Sequence, residues 1–199
     1  MLWENTMGTL FDQIDTNLET FIRAQQMFFV ATAPVDASGH LNLSPKGLDT
    51  LRIVGPRTLV YLDYVGSGSE TIAHLRQNGR IVLMWCAFAG PPNIVRVHGR
   101  GEVIEPPDPA FDELRGLFPT TAPGARSVIR IAVERVGDTC GFGVPLYEYT
   151  GQRSQLAKWA EHKGTDGLEQ YQRDKNRVSV DGLPSLRWVG VAEPDDDRR

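Results

Sequence analysis

Three groups of residues in the 199-residue chain have types and spacing that could do chemistry. The first is Lys46, at the end of the run Leu41-Asn42-Leu43-Ser44-Pro45-Lys46-Gly47. The second follows the β-branched and aromatic run Leu59 to Asp63, where Gly66-Ser67-Gly68-Ser69-Glu70-Thr71 opens an apparent helix carrying Ile72 and Leu75. Glycines at a strand-to-helix turn allow positive φ and leave amide hydrogens unpaired, and a helix start with free amides attracts anions. Ser67 and Glu70 also have the S-x-x-E spacing of a capping box, so the same turn reads equally as a capped helix that binds nothing. An ammonium at Lys46, where the preceding strand stops, favours the anion site.

The third group is Arg96, His98 and Arg100. Residues Asn93 to Ile104 alternate, placing Val95, Val97, Gly99, Gly101 and Val103 on one face and Ile94, Arg96, His98, Arg100 and Glu102 on the other. Arg100 and His98 read as a solvated face, and Arg96 as a candidate for an anion. No Ser/His/Asp order, HExxH pattern or cluster of carboxylates stands out, so no side chain is singled out as catalytic and no metal ligands are expected. Cys86, in an apolar run, and Cys140, in TCGFG, lack the spacing of a metal site and read as buried thiols. Glu148 and Asp181 read as surface charges.

The elements that must position these groups are mostly strands. Thr9 to Gln25 predicts an amphipathic helix with Thr9 as N-cap. Met27 to Ala33 and His40 to Ser44 predict two strands joined by the turn Asp36 to Gly39, followed by a short run at Leu51 to Val54 and the strand Leu59 to Asp63. A helix over Glu70 to Gln77 precedes Arg80 to Phe88, a strand apolar at nearly every position. Such a strand is covered on both faces, by the core and either by more of the same chain or by a partner. A short helix over Pro106 to Phe118, a polar loop at Thr120 to Gly124 and a last strand at Val128 to Val136 complete the core. From residue 137 on, two short helices around Leu156-Trp159-Ala160 and Leu168-Tyr171 form an appendage, and EPDDDRR forms a frayed tail. Tyr147, Tyr149, Arg153, Lys158 and Trp159 either pack on the core or roof a groove.

With 41% hydrophobic and 23% charged residues, the chain suffices for one domain over residues 1–199, with a core at about 27–136 and an appendage at 137–199. A net charge of −4 with interspersed signs disfavours nucleic acid and anionic membranes. The longest apolar run, Ile81 to Ala89, is too short to span a bilayer, and no signal segment is seen, so a cytoplasmic location is expected.

Taken as a set, HLNLSPKG, TLVYLDYVGSGSETIAHLRQNGRIVLMW and NIVRVHGRGEVI resemble the pyridoxamine 5′-phosphate oxidase-like family of FMN-binding split barrels. The resemblance spans roughly Met27 to Val136. It implies a mainly β (α+β) fold, a six-stranded, partly open antiparallel barrel with peripheral helices. It further implies a homodimer with FMN in the grooves between subunits, and an oxidoreductase acting on a small molecule. By the same resemblance the FMN phosphate lies among Lys46, Ser67, Gly68, Ser69 and Thr71. The backbone of Asn42, Leu43 and Ser44 and of Tyr61, Leu62 and Asp63 lines the ring and ribityl chain, and Arg96 approaches the flavin or a substrate anion. The true oxidases carry an Arg-Lys pair where this chain has Gly68-Ser69, and their terminal Trp and Arg segment is not reproduced by DGLPSLRWVGVAEPDDDRR. Pyridoxamine phosphate oxidation is therefore not the expected main activity. A non-enzymatic flavin- or haem-binding module and a deazaflavin-dependent reductase are the competing expectations.

Overall fold

A computed structural model describes residues 8–118 and 123–189. Most of the loop expected at Thr120 to Gly124 and all of the terminal EPDDDRR lie outside the described residues. The architecture is one antiparallel sheet with four helices around it. In chain order the elements are β1 (Leu10–Phe11), α1 (Thr16–Ala24), β2 (Phe28–Thr32), β3 (Asn42–Lys46), β4 (Leu51–Gly55) and β5 (Thr58–Tyr64). They continue with α2 (Glu70–Asn78), β6 (Arg80–Cys86), β7 (Ile94–Ile104), α3 (Ala110–Arg115), β8 (Ala125–Thr139) and α4 (Gln155–Lys175).

The strands run in the order β3-β2-β6-β7-β8-β5-β4, with β1 added to β8. The path ends at β3 and at β4, which are not bonded to each other, so the sheet curls into a barrel with a split between those two edges. The split barrel expected from the sequence is the observed fold. Its eight strands exceed the expected six, and one of the extra strands is the two-residue Leu10–Phe11, paired with Val136 and Gly137 of β8.

That pairing also shortens the first helix. Thr9 is not its cap: the Thr9 N–H donates to Asp138 Oδ1 at 2.7 Å. The helix starts at Thr16, where Asp15 accepts from the Leu18 N–H at 2.8 Å, an ordinary N-cap. The two helices expected in the appendage are the two halves of α4, which breaks at Gly164, a residue with φ of 65°. Positive φ suits glycine, so that residue sets the kink.

Inward-facing alternate residues of the strands build the core: Val30, Leu59, Tyr61, Leu83, Trp85, Val95, Val97, Ile129 and Ile131, with Leu18 and Ile22 of α1 and Ile72 of α2. Opposite faces of the same strands carry Val60, Leu62, Ile104 and Val128 under Phe111 and Phe118. On β6 the expectation of burial on both faces holds only in part. Ile81, Leu83 and Trp85 are buried, while Val82 and Met84 are partly exposed beside Ala31 and Phe29 of β2.

Close approach of strands is enforced at Gly99, in the bulge where β7 meets β8. A Cβ added there would lie 2.3 Å from the Ala132 carbonyl oxygen, a backbone atom that cannot rotate away. Gly99→Ala is expected to cost roughly 1–3 kcal/mol in urea unfolding as the strands are forced apart, whereas Gly143→Ala is expected to be near neutral. Beside Gly143 nothing lies within 4 Å.

Candidate functional site

At the split of the barrel, side chains from β3 face the other edge. Asn42, Ser44 and Lys46 alternate on one face of β3 and are half-buried, while Leu43 between them points outward and is 65% exposed. Lys46 reaches across to β5, where its Nζ lies 3.0 Å from Asp63 Oδ1. The other carboxylate oxygen of Asp63 accepts from Arg126 Nε of β8 at 2.7 Å, and Ser127 Oγ lies 3.4 Å away. Asp63 and Arg126 are almost completely buried, and Lys46 keeps about a fifth of its side chain exposed.

Burial alone would push the Asp63 carboxyl up. The charges and hydrogen bonds of Arg126 and Lys46 outweigh it and lower its pKa from 3.8 to about 2. Two cations share one carboxylate, so the cluster keeps one net positive charge, and the Arg126 Nη1 is buried without a hydrogen-bond partner. An unpaired guanidinium nitrogen and a residual charge are complementary to an anion.

A column of aromatic rings positions the ammonium. Trp85 stacks on Phe28 at 5.9 Å, Phe28 meets Tyr61 edge-on at 5.8 Å, and Lys46 Nζ sits 5.9 Å from the Tyr61 ring centre. The Tyr61 phenol is fully buried, and burial followed by the Asp63 charge holds its pKa well above 10. It is a neutral wall, not an acid–base group at ordinary pH.

Beside this cluster runs a chain of neutral hydrogen bonds. Ser44 Oγ donates to Asn42 Oδ1 at 3.0 Å, and the Asn42 amide donates to Thr71 Oγ1 at 2.9 Å and to Thr32 Oγ1 at 3.3 Å. Thr32 Oγ1 in turn lies 2.9 Å from His74 Nδ1. The His74 Nε2 is buried without a hydrogen-bond partner. Burial pushes the His74 pKa down, in keeping with a neutral ring.

The Gly-Ser turn is arranged differently from a capping box. Ser69, not Ser67, is the N-cap of α2, and its side chain makes no cap bond. Its Oγ donates to the Val178 carbonyl at 3.3 Å, and its own carbonyl accepts from Ser185 Oγ at 3.0 Å. Glu70 lies back over Gly68, where an added Cβ would meet its Oε2, and its Oε1 accepts from the Val180 N–H at 3.3 Å. Asn176 Nδ2 donates to the Gly66 carbonyl at 2.9 Å. A strap of residues 176–188 therefore covers the turn, with Ser67 exposed and Ser69 and Thr71 buried.

Farther along, the strap is anchored by Glu105. Its carboxylate pairs with Arg76 and accepts the Arg187 and Trp188 N–H groups at 3.2 Å. Asp181 is not a loose surface charge: it holds the His40 N–H at 2.8 Å and the His40 Nδ1 at 2.6 Å. Hydrogen bonding to Asp181 and its charge raise the His40 pKa.

The twelve residues singled out from the sequence thus fall into separate places. Asn42, Ser44, Lys46, Tyr61, Asp63 and Thr71 converge on the split. Leu62 packs under α3, Leu43 faces outward, and Ser67, Gly68 and Ser69 lie at the strapped turn. Arg96, on the outer face of β7, donates to Thr139 Oγ1 at 3.1 Å in a hollow shared with His98 and Arg135. Arg126, Thr32 and His74 were missed. The strand carrying Arg126 was expected to begin at Val128 and the loop before it to end at Gly124, which left this buried arginine unassigned between them. Among the described residues no group of His, Cys, Asp and Glu could hold a metal ion, and no helix is long and apolar enough to cross a membrane. The two thiols are free, Cys86 buried and Cys140 half-buried.

The sequence pattern of pyridoxamine 5′-phosphate oxidase matches residues 14–140, which include every strand but β1. The chain belongs to the pyridoxamine 5′-phosphate oxidase family. A member of that family from Aspergillus flavus, the protein ustO, is 37% identical over 196 residues, covering 90% of this chain and 78% of its own. Two crystal structures of tagged HupZ from Group A Streptococcus share the fold, with TM-scores of 0.52 and 0.51 at 23% identity. They cover 63% and 62% of this chain and 98% and 91% of theirs. In this member of the oxidase family the matched region ends before α4 and the strap, so the cover over the α2 turn lies outside it.

The depressed pKa of Asp63 has a consequence for acid stability. A carboxyl that ionises more readily when folded stabilises the fold above its ordinary pKa and loses that contribution as pH falls through the folded value. Between pH 4 and pH 2 the Asp63 cluster is expected to lose about 2 kcal/mol of folding free energy. Urea unfolding across that range is expected to show a larger loss in the native chain than in Asp63→Asn, which keeps the lowered carboxyls of Asp36 and Asp181 and is less stable at neutral pH.

Proposed function

We propose that the chain is an FMN-binding oxidoreductase that acts on a small molecule. The observation that carries this reading is the cluster of Lys46 and Arg126 around one carboxylate at the split, with a buried guanidinium nitrogen left unpaired, in a chain of the pyridoxamine 5′-phosphate oxidase family. A flavin, when bound, supplies the hydride and electron chemistry, so the protein needs to grip its phosphate, shape a face for its ring and exclude water.

The residues at the split fit those tasks. Lys46 and Arg126 supply positive charge for the phosphate, with Ser44 and Thr71 as neutral hydroxyls beside it. Asn42 orients both hydroxyls, and Asp63 fixes the two cations instead of touching the ligand. The expected contribution of Ser67, Gly68 and Ser69 to the phosphate belongs to the same proposal, and it requires Glu70 to swing off Gly68, because its carboxylate holds the anionic position at the helix start. Arg96 is proposed to face the flavin or substrate from a second copy of the chain.

Self-association is supported by the outer face of β2, β3 and β6. Leu41 and Leu43 are 81% and 65% exposed there and border a hollow of about 410 Å³ with Ala31 and Val82. A homodimer joined through this face would bury that patch.

Titration of the purified chain with FMN, followed by quenching of flavin fluorescence, tests the cofactor. Saturable binding is expected, and Lys46→Met is expected to weaken it by about tenfold or more, the weight of one charge-assisted contact. No quenching in the native chain defeats the proposal, while flavin that binds but is never reduced by a nicotinamide donor would make the protein a carrier. For the dimer, light scattering after size exclusion is expected to give twice the chain mass, and Leu43→Asp to give one.

A further inference from the structure

The outer face of the β7–β8 pair lies in the middle of the strand order, on the far side of the barrel from the split, and its two ends treat charge differently. Toward one end each arginine has a carboxylate: Arg100 meets Glu134 at 3.0 Å, and Arg130 Nε meets Glu102 at 3.0 Å. Cross-strand pairs of this kind neutralise a solvated sheet face. At the other end Arg96 and Arg135 have no carboxylate partner among the described residues, and His98 is next to both.

The pairing register makes the crowding specific. His98 is directly opposite Arg135, and Arg96, two residues back on the same face, is opposite Gly137. Cβ atoms at such positions lie about 5–8 Å apart, so side chains of this length reach one bound ion together. Gly137 adds no side chain, and the three basic groups with Leu10 border a hollow of about 320 Å³. Arg96 Nη1 donates to Thr139 Oγ1 at 3.1 Å, which fixes the guanidinium and leaves its other N–H groups without an acceptor among the described residues. The carboxylate in the wall, Asp138, is held by the Thr9 N–H at 2.7 Å. One carboxylate against two guanidiniums leaves a positive charge even before His98 takes a proton.

The strand on the other side does not relieve it. Val82 of β6, opposite His98, offers no charge, and Arg80 beyond it donates to the Pro34 carbonyl and to Asn78. Partial desolvation, then the charges of Arg135 and Arg96, hold the His98 pKa below its ordinary value. Like charges placed directly opposite weaken a sheet, and a local conflict that the chain itself does not resolve marks a functional position.

We infer that Arg96, His98 and Arg135 bind a small oxyanion, free or at the end of an organic molecule, on the outer face of β7 and β8. Guanidinium groups meet oxyanions through forked hydrogen bonds, and the protonated imidazole adds a further donor. The site needs no flavin, so it is tested apart from the phosphate grip of Lys46 and Arg126. His98 also borders the apolar hollow at Leu41 and Leu43, which places the anion at the rim of the face proposed for the dimer.

Proton NMR titration of the four imidazoles in the native chain, without flavin, tests the site. Sodium sulfate is the ion, because its charge is constant between about pH 5 and about pH 8, and sodium chloride at equal ionic strength is the reference. His98→Gln assigns the resonance. Sulfate is expected to raise the His98 midpoint saturably by about half a unit or more, since a nearby anion favours the charged ring. His40, already paired with Asp181, is expected to keep its midpoint. Arg135→Gln is expected to raise the His98 midpoint in chloride, by removing a repelling charge, and to weaken the sulfate response about tenfold. Arg130→Gln, on the same face but paired with Glu102, is expected to leave that response intact. Phenyl phosphate displacing sulfate more tightly than inorganic phosphate points to an esterified ligand, and equal displacement to a free ion; both uphold the site. A His98 midpoint that sulfate moves no more than chloride does, a response that survives Arg135→Gln at full strength, or an equal shift at His40 overturns the inference.

Discussion

Asp63 sits where the barrel fails to close, and the rest of the site depends on what it holds. A carboxylate with almost no exposure needs partners, and it takes one from each side of the sheet: Lys46 from the edge strand β3, Arg126 from β8. No backbone hydrogen bonds join β3 to β4, so this ion cluster is a tie across the split made by side chains. Removing one partner leaves buried charge behind, which makes the three groups interdependent. The same pairing orients the ammonium over Tyr61 and fixes the guanidinium with one nitrogen to spare. Structure and binding capacity thus share one set of charges.

The second organising contact is the strap. The family's sequence pattern matches only as far as residue 140, yet the turn most suggestive of anion binding is covered by residues beyond that limit. Glu70 and the Val180 N–H satisfy each other, Ser69 is engaged on both its hydroxyl and its carbonyl, and Glu105 fastens the far end. Helix α2 therefore starts against its own chain's carboxylate, which the positive end of the helix dipole favours as it would any anion. The anion-binding physics anticipated at this turn operates, with an internal group as the partner.

What was legible in the sequence follows from periodicity. The alternation of Asn93 to Ile104 put Val95, Val97 and Gly99 inward and Arg96, His98 and Arg100 outward, as found. The split-barrel fold was legible from a set of motifs acting together. Caps were less so: Thr9 and Ser67 had suitable side chains, but long-range partners, Asp138 for one and the strap for the neighbours of the other, outcompeted local bonds. Arg126 was illegible for a related reason. Its burial is set by Asp63, far away in the chain, and local composition carries no trace of that pairing. Asp181 was misread likewise, since its partner His40 lies on the other side of the molecule's sequence.

Strand β8 is fifteen residues long and is bonded to β1, β5 and β7. Strands β4 and β5 connect to β2, β3, β6 and β7 through it and through no other strand. As the chain leaves the ribosome, two unjoined sheet fragments must therefore wait for the last strand before either gains its neighbour, and each carries a bare edge meanwhile. This chain is most exposed to mispairing with other nascent chains during that interval, a hazard set by strand order alone.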